Sequence, residues 1–243
     1  MKQIVLAGIL FVIGLPICLA QGGPPVITDD PETPGANHWE INTAVVSTVF
    51  SHITEYQSPF LDFNYGAGER VQLKFQVPFN LVSGDIGVGN PQAGVKIRFL
   101  DESKRGISFS TYPQFTFGGA ASAVQQNLAS PGWQMFLPIE MSKTFGKFQL
   151  DGEAGYNLQQ QFPNEVWFGV VGAYEPSERV QLLAEIHEIE AHRFAESEPV
   201  FDLGARVKLT KLAALLFTAG RSLPGTSGEV QKFFSFLGMQ FTF

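Results

Sequence analysis

From residue 38 onward, apolar and polar side chains alternate with a period of two. The clearest run is Val71-Gln72-Leu73-Lys74-Phe75-Gln76-Val77, apolar at odd positions and polar at even ones. The same rhythm returns from Val95 to Phe99, Ile107 to Phe117, Phe148 to Ala154 and Phe201 to Leu209. Successive side chains of a strand point to opposite faces, so each run predicts a strand with one oily and one wetted face. With the weaker runs included, strands are predicted near 38–50, 59–65, 70–79, 93–100, 107–117, 134–143, 147–156, 165–175, 179–188, 199–209, 212–221 and 230–243. That makes about twelve, an even number, each close to the roughly 9–11 residues that a tilted strand needs to cross a bilayer.

The connections alternate in length. Short turns fall at 66–69, 101–106, 144–146, 175–178 and 210–211, and longer ones at 51–58, 80–92, 118–133, 157–164, 189–198 and 222–229. Short periplasmic turns and long outer loops are the pattern of outer-membrane barrels. The predicted fold class is therefore all-β: a transmembrane, antiparallel, up-and-down β-barrel over residues 38–243. A frame of Tyr65-x-x-x-Glu69-Arg70-Val71-Gln72-Leu73 returns as Tyr174-x-x-x-Glu178-Arg179-Val180-Gln181-Leu182, which predicts two similar hairpins.

Aromatic residues sharpen this picture. On the outward parity, strand ends at the short-turn rim carry Trp39, Tyr65, Phe99, Phe148, Tyr174 and Phe243, a girdle for the membrane–water interface. The last strand has apolar residues at every second position and ends on Phe243. It resembles the signal by which barrel-assembly machinery recognises its clients. That machinery and outer-membrane lipid are the expected partners.

Composition agrees. Hydrophobic residues make up 44% and charged ones only 16%, with Phe at 23 against Tyr at 5 and Trp at 3. Soluble domains carry about a quarter charged residues; a hydrocarbon-facing surface needs fewer. Residues 1–20 read as a secretory signal peptide: Lys2, an apolar run from Ile4 to Ile17, then Cys18-Leu19-Ala20, cut after Ala20. Lipidation at Cys18 is the alternative, disfavoured by Ile17 before it. Residues 21–37, rich in Pro and Gly, read as an extended periplasmic arm acting as a linker. The net charge of −7 argues against a nucleic-acid partner. Cys18 is the sole cysteine and belongs to the leader, so no disulfide is expected.

Motifs for chemistry are weak. His187 and His192 stand five apart and cannot share a helical zinc-binding face. Gly225-Thr226-Ser227-Gly228-Glu229 stops short of a nucleophile elbow. Gly87-Val88-Gly89 to Gly94 lacks the Lys-Ser/Thr of a phosphate loop. No His is followed by x-Ser-Asn, the pattern of twelve-stranded outer-membrane phospholipases. The expectation is no enzyme, no cofactor and no metal.

The inner parity holds what remains. Candidate lumen-lining residues are Lys74, Lys96, Arg98, Tyr112, Glu140, Asp151, Glu153, Glu185, Asp202, Arg206 and Lys208, with Phe136, Trp167, Leu183 and Phe236 as apolar exceptions. Lys or Arg at the hydrocarbon midplane would cost roughly 2–4 kcal/mol each, so this face is wet or internally paired. In one reading the charges line a water-filled path, a narrow pore or transporter for small solutes. In the other they pair across the lumen of a structural or surface-interaction barrel. An outer-membrane hydrolase is the remote third.

Four stretches also resemble a known family: Gly22 to Pro31, His38-Trp39-Glu40-Ile41-Asn42, Leu61 to Arg70, and Tyr174 to Arg179. They look like the bacterial outer-membrane proteins grouped as the "MetA-pathway of phenol degradation" or transporter-like family, over most of the mature chain. The resemblance implies a barrel, a transport role and aromatic compounds as cargo. It brings no catalytic residues.

Overall fold

The computed structural model describes residues 24–191, 199–224 and 230–243. The expected signal peptide with Cys18, residue His192 and the glycine-bounded segment 225–228 lie outside the described residues. The elements are β1 (Trp39–Val49), β2 (Thr54–Gly68), β3 (Val71–Val82), β4 (Asp85–Val88), β5 (Gln92–Leu100), α1 (Glu102–Arg105), β6 (Ser108–Thr111), β7 (Gln114–Thr116), α2 (Ala121–Gln125) and β8 (Gln134–Phe145). There follow β9 (Phe148–Gln159), β10 (Glu165–Ser177), β11 (Val180–Ala191), β12 (Val200–Lys208), β13 (Ala213–Ser222) and β14 (Phe233–Thr242).

Neighbouring strands pair antiparallel around a single sheet, and β1 pairs with β14 from Glu40↔Thr242 to Val49↔Phe233. That last pairing closes the wall, so that among the described residues no wall strand is left with an unpaired edge. β6 and β7 are two halves of one stave, interrupted at Tyr112-Pro113, and both pair with β5 and β8. Pro113 has no N–H to give the ladder, and its carbonyl instead accepts from Val95 N–H at 3.1 Å. β4 extends β3 as a hairpin beyond the wall. The wall is thus a closed antiparallel barrel of twelve staves.

Burial runs opposite to that of a water-soluble protein. On β3, Leu73 and Phe75 are 45% and 44% exposed, while Gln72 and Lys74 are 6% and 9% exposed. The same inversion recurs on β8 to β12, with most Leu, Ile, Val and Phe outside and Glu, Asp, Gln and Ser inside, while Val171, Leu183, Val200, Leu216, Phe234 and Phe236 are apolar residues buried on the inner side. An oily exterior over a polar interior is stable only where the surrounding medium is itself apolar.

The six aromatic residues expected to form a girdle all stand toward the short-turn rim. Trp39 and Tyr65 are cross-strand partners with ring centroids 4.8 Å apart, and Phe148 and Tyr174 stack at 4.6 Å. Phe99 stacks on Phe109 at 6.1 Å. Phe243 exchanges two backbone hydrogen bonds with Trp39, at 2.7 and 3.0 Å, where the chain closes on itself. The two Glu-Arg-Val-Gln-Leu hairpins are alike in detail. Each has a register shift beside its turn, and the carbonyls of Arg70 and Arg179 accept from Arg98 N–H and Lys208 N–H at 2.9 and 2.8 Å. On the opposite rim, loops 80–92 and 118–133 lie against one another. Asn80 Nδ2 donates to Leu128 O at 2.7 Å, and Asn90 Nδ2 donates to Ser130 O at 2.8 Å.

One expectation is overturned. The described part of the Pro/Gly-rich arm, from Pro24 on, is not a linker trailing in the periplasm. It runs inside the barrel, with Val26, Thr28, Asp29 and Asp30 all buried. Extended backbone with four prolines has few internal hydrogen bonds to make, so its polar groups are free to be satisfied by the inner wall.

Candidate functional site

The lumen divides into a cavity on the long-loop side and a packed half on the short-turn side. The arm separates them. Each of its contacts follows from a charge or a gap on the inner parity of the wall.

The acidic residues of the arm meet the basic cluster of β3 and β5. Asp29 lies 3.2 Å from Lys74 and 3.0 Å from Lys96. Lys96 also donates to the carbonyl of Asp30, and Arg98 pairs with Glu32. Tyr112 lies beneath both lysines, with the ammonium groups 5.1 and 5.4 Å from its ring centre. Cations over an aromatic face are partly compensated for lost hydration.

The acidic side of the wall receives the N–H groups of the arm. Glu185 accepts from Ile27 N–H at 3.0 Å and Thr28 N–H at 2.6 Å, and Glu153 accepts from Asp29 N–H at 2.9 Å. Arg206 donates to the carbonyl of Pro24 at 2.9 Å. Val26 packs on Val171, Ala173 and Leu183. A buried carboxylate accepting two backbone N–H groups is a charge-assisted anchor, stronger than neutral pairs.

Two glycines make room. A Cβ on Gly66 would stand 1.7 Å from the carbonyl oxygen of Gly35, and one on Gly169 would stand 1.9 Å from Thr28 Oγ1. The arm is seated in these notches.

The remaining candidates are placed as follows. Glu140 lies 3.3 Å from Lys96 and accepts from the Ser110 hydroxyl. Asp151 accepts from Gln149 Nε2 at 2.7 Å. Asp202 lies 3.4 Å from His187 Nδ1. Lys208 stands near the short-turn rim with Arg206, beside a void of about 20 Å³. A second void of about 20 Å³ lies between the arm and β1 to β5. Each has room for a single water. The charges are therefore neither free along a path nor paired mainly across the lumen: most engage the arm. Sequence reasoning missed Asp29, Asp30 and Glu32 as their partners. Three acids in seventeen residues that face three bases on two strands were the available signal.

Beyond the arm, on the long-loop side, opens a cavity of about 490 Å³. Its wall combines neutral amides and aromatic rings with four charged groups that already have partners: Asp29 with Lys74, Glu153 with the Asp29 N–H, and Glu165 with Asn157 Nδ2. Gln57, Gln76, Gln92, Gln114 and Gln134 supply neutral donors and acceptors, and Phe60, Phe136, Trp167, Phe234 and Phe236 supply aromatic surface. Phe136 meets Trp167 edge-on at 6.0 Å, and Phe60 meets Phe236 at 6.4 Å. Of the apolar exceptions read from the inner parity, Phe136, Trp167 and Phe236 are brought together here, while Leu183 packs against Val26.

No family model and no curated protein matches the sequence. The fold is similar to solved outer-membrane barrels. The COG4313 outer membrane channel from Pseudomonas putida F1 superposes with a TM-score of 0.71 at 17% identity, over 92% of this chain and 100% of that one. The NanC porin follows at 0.57 and 11%, over 83% of this chain and 98% of its own. The KdgM porin gives 0.56 and 9%, over 83% and 99%. At these identities the likeness is one of fold.

Proposed function

We propose that this protein is a narrow, arm-plugged pore of the bacterial outer membrane that passes small solutes and catalyses no reaction. The observation that carries this is the cavity of about 490 Å³ that ends on a segment joined to β1 and seated against the inner wall by ion pairs and hydrogen bonds. That volume lies within the roughly 300–1,000 Å³ of typical small-molecule sites. A plug held by ion pairs and hydrogen bonds can leave and return, whereas a wall held by a continuous ladder cannot. The similar fold of known channels and porins supports the reading.

The cavity lining indicates the cargo. Glutamine amides beside aromatic rings suit a small, uncharged solute with one apolar face and one hydrogen-bonding group. The motif resemblance to the phenol-degradation family points to the same class, small aromatic compounds. The test compares the full mature chain with a variant lacking residues 21–37, in planar bilayers and in liposomes loaded for uptake of a phenolic solute. Rare, brief openings are expected for the first and a stable conductance for the second. A silent barrel in both forms would replace the pore with the structural reading.

A further inference from the structure

We propose that Glu185, His187 and Asp202 form a site for a divalent transition-metal ion, of which zinc is the type case, and that the ion ties the arm to the barrel wall. Glu185 and His187 stand two apart on β11, so both face inward. Asp202 on β12 is the cross-strand partner of Glu185. His187 Nδ1 lies 3.6 Å from Glu185 Oε2 and 3.4 Å from Asp202 Oδ2, and the three donor atoms fall within 4.8 Å of one another. Donors about 2.0–2.2 Å from a tetrahedral zinc stand roughly 3.3–3.6 Å apart. The two separations at His187 match the edges of such a polyhedron.

The second observation is that two of the three residues, His187 and Asp202, present buried donor atoms without a hydrogen-bond partner, while Glu185 is already engaged by the arm. Asp202 is fully buried and His187 is 4% exposed, yet neither Asp202 oxygen nor His187 Nδ1 has a hydrogen-bond partner among the described residues. The ion pairs of Glu185 and Asp202 among those residues are both with His187. A neutral His187 leaves two buried carboxylates facing each other, and a protonated one still leaves an excess negative charge. Unpaired buried charge is costly, and a dication cancels it.

The donors are also held in place. The His187 ring stacks on Trp167 at 5.6 Å and 5°. Asp202 Oδ1 is lodged over Gly220, where a Cβ would come within 1.8 Å of it. One imidazole and two carboxylates suit zinc or manganese better than a soft cuprous ion. The link to the arm is Glu185, the same carboxylate that grips Ile27 and Thr28. Thr28 Oγ1, buried and without a hydrogen-bond partner among the described residues, sits over Gly169, the cross-strand neighbour of His187. The expectation of no metal rested on the spacing of His187 and His192 along the chain. This site is instead assembled by cross-strand register.

The test uses the untagged mature chain in detergent, stripped with a chelator and titrated with zinc in the presence of excess magnesium to suppress exposed carboxylates. One tightly bound zinc per chain is expected. Asp202→Asn and His187→Phe should each weaken it at least about tenfold while the barrel keeps its heat-modifiable mobility. No zinc bound by the unaltered chain, or equal affinity in Asp202→Asn, would overturn the site. If His187→Phe does not fold, the isosteric Asp202→Asn decides alone. Hydrogen exchange over residues 24–36 reads the tie: zinc should slow it in the unaltered chain and not in Asp202→Asn, and exchange indifferent to zinc would overturn the tie. Neither readout requires solute passage, so a silent pore would leave this site standing.

Discussion

Lys96, 1% exposed on the inner wall, lies 3.0 Å from Asp29 of the arm, a residue 67 positions earlier in the chain. The same ammonium lies 3.3 Å from Glu140 on the wall. One lysine thus neutralises a carboxylate that belongs to the plug and one that belongs to the barrel. Removing one partner of a buried pair costs about 3–5 kcal/mol, because the other charge is left unpaired. Lys96→Met removes the cation facing Glu140 and leaves Asp29 with Lys74 alone, whereas Asp29→Asn still leaves Glu140 to face Lys96. Open probability in planar bilayers should rise in both and further in Lys96→Met, with the double variant no worse than Lys96→Met alone. Equal effects of the single variants would mean that Lys96 does not bridge the two. In the open-pore reading Lys96 and Arg98 are among the charges lining a water-filled path. With both committed to the arm, reversing them to Glu should change gating before it changes ion preference.

The pH dependence has two limbs of opposite sign. Burial pushes the Asp29 carboxyl up, but Lys74 and Lys96 outweigh burial and hold it well below its ordinary 3.8. A carboxyl lowered on docking favours the docked arm above 3.8, and this contribution drains away as pH falls below that toward the docked value. Asp30 behaves in reverse. Burial first, then the negative Asp151, Asp29 and Glu32, raise it well above 3.8 against the pull of Lys96. A carboxyl raised on docking binds a proton in the docked state, so docking strengthens as pH falls through that raised value and stops gaining below 3.8. Openings should therefore become rarer from neutral pH down to about pH 4 and more frequent below about pH 3. Asp30→Asn should remove the first limb and Asp29→Asn the second. A monotonic profile in the unaltered chain would contradict this.

Gly66 and Gly169 separate the arm from the wall in a way no charge substitution can. A methyl at Gly66 would meet backbone, the Gly35 carbonyl at 1.7 Å, which cannot rotate aside. Gly66→Ala should leave the strand ladder intact and displace the arm. At Gly169 the obstacle is a side-chain hydroxyl, Thr28 Oγ1 at 1.9 Å, so Thr28→Ala should rescue Gly169→Ala in part. The readout is the rate at which Val26→Cys, placed in a mature chain without other thiols, reacts with a bulky maleimide in the presence of a chelator. A Gly66→Ala variant that labels as slowly as its parent would show that the arm does not need this notch.

Much of this was legible in the sequence. Strong period-two runs such as Val71 to Val77 settle where strands lie, because a one-residue slip would turn Lys74 and Gln76 toward lipid. The inward set follows from the same parity. The destination of the arm was not legible, because Pro24, Pro25, Pro31 and Pro34 impose extended backbone without a repeat that names a partner. Nor was the cluster of Glu185, His187 and Asp202, which depends on the register of β11 against β12 that makes Glu185 and Asp202 cross-strand partners. Pro113, which splits one stave into β6 and β7, lay inside a run that otherwise reads as unbroken alternation.

The aromatic half of the cavity makes the last prediction. Phe136 lies against Gly155, where a Cβ would come within 2.4 Å of its ring, so the glycine lets the ring lie flat on the wall. It contacts Trp167 edge-on at 6.0 Å, leaving aromatic surface toward the cavity. An aromatic contact is worth about 0.5–1.5 kcal/mol beyond the area it buries, so Phe136→Gln should raise the half-saturating concentration of a phenolic solute roughly two- to tenfold. Trp167 is the poorer choice for this test, because its ring also stacks on His187. Flux of a small polyol, which has no aromatic face to lose, should be unchanged. If both solutes slow equally, the substitution has narrowed the passage and the aromatic wall does not select. If the phenolic alone slows, the rings recognise it, while the five glutamines of the same lining supply the hydrogen bonds that a fully apolar solute could not use.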